Sequence, residues 1–421
     1  MNFTFDGSPS KEVLYNYFSR SVGFNVLCHE KDPRLMKAHI DLLKNVGAKF
    51  VGRSAFVWAR CGEASDDAHF ELVERNAKLI HEADPEIILQ AVVFETLYEP
   101  FVESIKIPSW TFEAFNLPIE DRTFNVENIC FADGRFRSFW GDKISAPDIT
   151  RLEAKMWIYY RACRYILAGF ESLHMGQVEY VTGLNDKGYY NWKDVMDKIR
   201  AFAEQNARRH YVICDAHVTG IIVDGISLFD LNKWPLRLKA VKDEPYKAVL
   251  EPLYHDSILG RSKSAIHPCG FEADPLPFML EFDAWDLSNY AGEYRESDYY
   301  IWGFDDMSWH YMHSKKEREE NLRYVWNYIR KNYPDDGFVE LPCRRCSFLP
   351  DEKYPTTVWD EPDLEWLNER CYTQSLTYTL DENGRALMKT RNYNAHNPSD
   401  NCPWGVGDED VIKDLFKNHN K

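Results

Sequence analysis

The chain has 421 residues, 44% of them hydrophobic and 28% charged, with a formal net charge of −17. That is enough apolar material for a large core, and a single α/β barrel with insertions accommodates the length. The negative charge argues against nucleic acid, whose phosphates demand a basic face, and against anionic membrane surfaces.

Residues 11–22 read as a short leading helix, and Gly23–Glu30 as a first strand ending in His29 and Glu30. Asp32 is placed to cap a helix from Pro33 to Val46, with Pro33 suited to its first turn and Gly47 as the stop. Lys49–Trp58 is a second strand carrying Arg53, and a helix follows from about Ala68 to Ala83. Ile87–Glu95 is a third strand, a nearly continuous apolar run of the kind that buried parallel strands show. From about 96 to 149 the periodicity is lost among prolines and aromatics. That stretch is too long for a bare connection and reads as an insertion over a barrel mouth.

A helix from Pro147 to about Ala168 leads into Glu171–Val181, read as a fourth strand with His174, Gln177 and Glu179 among apolar residues. On a strand, Gln177 and Glu179 share one side. After a helix over Trp192–Arg209 comes Tyr211–His217, a fifth strand with Asp215 and His217 at its end. Ile221–Phe229 reads as a hairpin turning at Asp224-Gly225. Lys247–His255 is taken as strand six, Pro277–Asp283 as strand seven with Glu281 and Asp283, and Tyr299–Asp306 as strand eight with Asp305. Ser314-Lys-Lys-Glu317 is a capping box opening a helix to Asn332. A hairpin over 375–390 and a short acidic helix complete the chain. The expected fold is therefore a (β/α)8 TIM barrel over 1–342, with its insertion after strand three, and a C-terminal extension over 343–421 packed on it.

No Gly-x-Gly-x-x-Gly follows an early strand, which counts against a doubly wound dinucleotide fold. Met1–Asp6 lacks the basic and apolar regions of a signal peptide, so the expected location is cytoplasmic. The ten cysteines are scattered, as buried reduced thiols are. The single CxxC pair, Cys343 and Cys346, lacks the further ligands of a zinc site, and neither metal nor cofactor is expected. A homo-oligomer is compatible with the sequence. Aromatic residues reach 15%, and several tryptophans, Trp58, Trp140, Trp285 and Trp309 among them, sit beside polar residues. Flat apolar rings with a polar edge suit the apolar face of a sugar.

In barrels the active site lies at the C-terminal ends of the strands. Those ends carry Glu30, Arg53, Glu95, Gln177, Glu179, Asp215, His217, Glu251, Glu281, Asp283 and Asp305. So many acids converging require cations, protonation or a catalytic task. Here the sequence resembles the (β/α)8 retaining glycoside hydrolases, which place an acid/base at the end of strand four and a nucleophile at the end of strand seven. The resemblance implies Glu179 and Glu281 as the catalytic pair, although Val178 stands where that group has Asn before the acid/base. It implies a small carbohydrate as substrate, with Arg53, Glu95, Gln177, Asp215, His217, Asp283, Trp285, Asp305 and Trp309 around it. The alternatives are a divalent-metal-dependent sugar isomerase or epimerase and a non-catalytic sugar-binding barrel.

Overall fold

The structure, a computed structural model, describes residues 1–58, 63–244, 247–296 and 299–417. Eight parallel strands form one closed sheet: β1 (Ser21–Phe24), β2 (Phe50–Phe56), β3 (Ile88–Val92), β4 (Ser172–His174), β5 (Ile213–His217), β6 (Leu231–Pro235), β7 (Phe278–Glu281) and β8 (Gly337–Cys346). They pair in sequence order and β8 closes on β1. A ninth strand, β9 (Asn392–Asn394), runs antiparallel against the end of β8. The fold is thus a (β/α)8 barrel with additions. Every residue of β3 is buried, as a strand covered on both faces requires.

The helices begin where side chains satisfy their first N–H groups. α1 (Lys11–Phe18) precedes β1. In α2 (Pro33–Val46), Asp32 accepts from the Arg34 N–H at 2.8 Å, and Gly47 ends the helix with φ 74°. Ser65 caps α3 (Asp66–Ala83). α4 (Leu152–Leu167) and α6 (Tyr190–Asn206) flank β4, with the short α5 (Val178–Thr182) between them. α7 (Lys315–Asn332) opens on the Ser314–Glu317 capping box and delivers the chain to β8.

Four strands differ from their sequence assignments. Strand one is Ser21–Phe24, and Leu27–His29, read as its end, is a turn of 3-10 helix. Strand four stops at His174. Strand six is Leu231–Pro235. Lys247–His255 instead contributes only Ala248–Val249, paired antiparallel with Lys239–Ala240. No helix separates β5 from β6. The connection is the hairpin of Ile222–Val223 and Ile226–Ser227, so the helical period that marks a barrel unit is missing there. Strand eight is Gly337–Cys346, past α7, and not Tyr299–Asp306. The latter makes isolated bridges and then a one-and-a-half-turn helix, Asp306–Tyr311. Pro342 and the Arg344-Arg345 pair disguise β8, yet Pro342 sits where the ladder already shifts register, between Gly23↔Pro342 and Phe24↔Arg344.

The chain divides into two compact units: residues 1–17, 53–233 and 262–277 in the first, residues 18–52, 234–261 and 278–421 in the second. In the first, Glu171 at the start of β4 is fully buried and paired with Arg208 and Arg209, each at 2.6 Å, an anchor at the N-terminal face. In the second, residues 343–417 share a core with α2, where Leu35 packs with Leu367, Met388 and the stacked Trp366 and Trp404. The hairpin over Leu376–Leu380 and Ala386–Thr390 forms as its sequence predicts. Among the described residues every cysteine is a free thiol, and no helix is long and apolar enough to cross a membrane.

Glu340 in β8 is only 1% exposed, and two glycines make room for it. A Cβ on Gly23 would lie 2.8 Å from Glu340 Oε1, and one on Gly52 would overlap Oε2 outright. Gly52→Ala is therefore expected to cost about 1–3 kcal/mol in a urea unfolding titration, as overpacking does. The cost should shrink in a Glu340→Ala background, and equal costs in both backgrounds would refute the steric account.

Candidate functional site

In the first unit the polar groups converge on Gln90, in the middle of β3. Its Nε2 donates to Ser172 Oγ on β4 at 3.1 Å and, in a shorter contact, to Asp215 on β5. Its Oε1 accepts from Lys233 Nζ on β6 at 3.3 Å and from the Arg53 N–H on β2 at 3.4 Å. Asp215 is fully buried and also pairs with Nδ1 of His174. One carboxamide thus ties five strands at a single level of the sheet, and the period-two alternation puts His217 on the same face as Asp215. The Arg53 guanidinium lies 3.3 Å from His217 Nε2. Arg53 itself adopts φ 55°, a left-handed conformation that costs a non-glycine residue energy and is concentrated at functional sites.

Glu95 follows β3 and is 3% exposed. Burial pushes its carboxyl above the ordinary carboxylate range. Its own backbone N–H and that of Gln177, then the charges of His217 and Arg53, act in the opposite direction without prevailing. The Gln177 N–H donates to Glu95 Oε2 at 3.1 Å. A Cβ on Gly176, whose φ is 65°, would overlap that same oxygen, so the turn after β4 needs glycine for both its backbone and its space.

This turn changes the reading of Glu171–Val181. The strand ends at His174, Gly176 turns the chain, and Gln177 precedes the helix α5. Gln177 and Glu179 are both exposed and do not share a strand face. Glu179 accepts from the Tyr189 hydroxyl at 3.0 Å.

In the second unit Glu281 on β7 and Glu340 on β8 are register partners, each 1% exposed. Arg345 serves both, at 3.3 Å and 3.9 Å, and binds Asp283 at 2.6 Å. Residues 340 and 345 would face opposite ways on a regular strand. The register shift beside Pro342 returns Arg345 to the side of Glu340 and turns Arg344 away, to Gln374 at 3.0 Å. Asp305 is fully buried and its oxygens are taken by the backbone N–H groups of Ser308, Trp285 and Asp286 at 2.7, 3.1 and 3.2 Å. Burial raises Asp305 to about 8 and Asp306 to about 7, against those backbone donors and, for Asp306, against Arg237. Trp285 is half-buried under the Arg237 guanidinium at 4.6 Å, and Trp309 is buried against His313. Glu251, on the excursion first taken for strand six, is exposed and bound by Lys239 at 2.8 Å.

Gln90, Lys233, Glu340 and Arg345 carry much of this polar interior and were not among the sequence candidates. Their one signal is a single polar residue inside an apolar strand run, as in Ile-Ile-Leu-Gln-Ala-Val-Val.

No family model and no curated protein matches this sequence. Among solved structures, the chain is similar to the Arthrobacter globiformis T6 isomalto-dextranase complexed with panose, at 11% identity and a TM-score of 0.35, over 83% of this chain and 52% of that one. It is similar to the glycoside hydrolase domain of PelA from Pseudomonas aeruginosa, at 8% and 0.34, over 76% and 93%. A third is TtGalA, an α-galactosidase from Thermus thermophilus, at 13% and 0.32, over 54% and 42%. This chain spans about half the length of the isomalto-dextranase and less than half that of the α-galactosidase. All three are glycoside hydrolases, and the barrel here is defined by its own strand order.

Removing one partner from a buried charged network leaves the other uncompensated. Arg345→Leu is expected to lower stability by about 3–5 kcal/mol, and Gln90→Leu by about 1–3 kcal/mol. Chemical denaturation of each variant measures this, and a Gln90→Leu protein as stable as the parent would show that Asp215 does not depend on the carboxamide.

Proposed function

We propose that this protein is a glycoside hydrolase that cleaves a carbohydrate with two carboxylates at the C-terminal ends of barrel strands. Glu95 carries the reading. It is a buried carboxyl whose proton is held above the usual carboxylate range, on a loop that follows a barrel strand, with one oxygen fixed by the Gln177 N–H. A glycosidic oxygen is a poor leaving group until it is protonated, and a carboxyl raised by burial holds that proton to higher pH than an ordinary one.

Glu281 takes the second role, as nucleophile or as base toward water. Arg345 neutralises part of its charge and fixes its position. Glu179 remains a comparator for the proton donor, since its exposure and its Tyr189 hydrogen bond leave it in water. Arg53 and His217 in the first unit and Asp283 in the second are the side chains proposed to bind sugar hydroxyls, and within the first unit Asp215 anchors the polar network. This chemistry needs no metal, whereas a sugar isomerase of the same architecture would.

The test is a panel of aryl glycosides assayed with and without EDTA. Glu95→Gln is expected to lower kcat/KM by about 10²–10⁴-fold on phenyl glycosides. The loss should be much smaller on 2,4-dinitrophenyl glycosides, whose leaving group needs no proton. The acid must be protonated to act, so activity should fall as pH rises through the raised pKa of Glu95, and that alkaline limb should vanish in Glu95→Gln. Glu281→Gln should abolish turnover with either leaving group. Loss of activity in EDTA with rescue by a divalent ion would replace this reading with the isomerase. A leaving-group effect seen in Glu179→Gln and not in Glu95→Gln would move the acid to Glu179.

A further inference from the structure

Five aromatic rings in the first unit come from four separate stretches of chain. Trp58 follows β2, Phe94 directly precedes Glu95, Phe139 and Trp140 belong to the insertion, and Tyr180 directly follows Glu179 on α5. Trp58 meets Phe94 edge to face at 4.8 Å and Trp140 at 6.4 Å. Trp140 in turn meets Phe139 at 4.9 Å and Tyr180 at 5.3 Å, and Phe139 lies 5.4 Å from Tyr180. Interplanar angles of 73° to 89° at four of these five contacts mean that one ring offers its edge to the next ring's face. Such edge-to-face contacts hold the rings in place relative to one another.

Two of the five rings reach well into solvent. Trp58 is 42% exposed and Phe139 is 52% exposed, on either side of the half-buried Trp140 that touches both. Its chain neighbours are the acceptors Glu95, Gln177 and Glu179, the last two exposed. Flat apolar faces beside carboxylate and carboxamide oxygens match a pyranose ring, with its C–H face and its rim of hydroxyls. The net charge of −17 counts against an anionic lipid surface as the occupant.

We propose that this cluster is a platform for successive sugar rings, and that the substrate is an oligo- or polysaccharide longer than the residue held at Glu95. The inference rests on the glycosidase reading for its link to turnover, but the platform itself is a binding claim. Phe139→Ala and Trp58→Ala alter the most exposed rings and are expected to leave the melting temperature within a few degrees of the parent.

Affinity electrophoresis through gels containing dextran, soluble starch, xylan or galactomannan tests binding directly. The parent protein should be retarded by at least one of these polymers, and both variants should lose most of that retardation. Where an aryl glycoside is turned over, the variants should keep its kcat/KM within about twofold while losing tenfold or more on oligosaccharides of four or more units. Retardation that disappears in the variants, in a protein that hydrolyses nothing, would uphold the platform and sink the hydrolase. No retardation of the parent by any of the four polymers, or retardation unchanged in both variants, would overturn the platform even if aryl glycosides are cleaved.

Discussion

A charged group can sit inside a barrel only if the barrel supplies its partners, and the polar interior of this protein is organised by that demand. Asp215 has no solvent exposure, and the unassisted burial of a carboxylate costs several kcal/mol. Gln90, His174 and, through Gln90, Lys233 and Ser172 form the answer. Because these groups come from β3 to β6, the network also pins the register of four strands, which apolar packing alone specifies weakly. A slip of one residue in any of them would turn its polar group to the outer face. The same logic governs the second unit, where Arg345 stands among Glu281, Asp283 and Glu340.

The apolar runs that became β2, β3, β5 and β7 were legible because each is bounded by a turn or helix signal and is buried on both faces. β6 was not, since a hairpin replaces the helix that normally announces the next strand, and Leu-Asn-Lys-Trp-Pro has two polar residues in five. β8 was hidden by Pro342 and two arginines. Proline normally marks the end of a strand, and here a register shift absorbs it. The two misses differ in kind: β6 lacks the helix that announces a barrel strand, whereas β8 pairs with β1 at the far end of the sequence, about which local pattern carries no information.

Legibility of the site divides along the same line. Arg53, Glu95, Asp215 and Glu281 stand out as charged residues at the ends of apolar runs, a signal that needs no knowledge of neighbours. Gln177 and Glu179 were placed on a strand because Val178, Tyr180 and Val181 extend the alternation. A left-handed glycine ended it, and glycine is permissive enough that its φ is not written in the residue type. Gly176 was therefore the informative residue in Glu171–Val181. Its missing side chain is the space that the Glu95 carboxylate occupies.

That exchange of a side chain for a carboxylate bears on how the two strand ends work together. Burial raises the Glu95 carboxyl above the ordinary carboxylate range, and the close turn at Gly176 is part of what buries it. The same turn aims the Gln177 N–H at Glu95 and carries the chain out into α5, where Glu179 is exposed and Tyr180 half-buried. The turn therefore contributes to both opposing effects on this carboxyl, the burial that raises it and the Gln177 N–H that lowers it. One tight backbone turn thus contributes to the burial of the acid and sets where the half-buried Tyr180 lies, which joins the proposed proton donor and the proposed sugar platform through the same few residues.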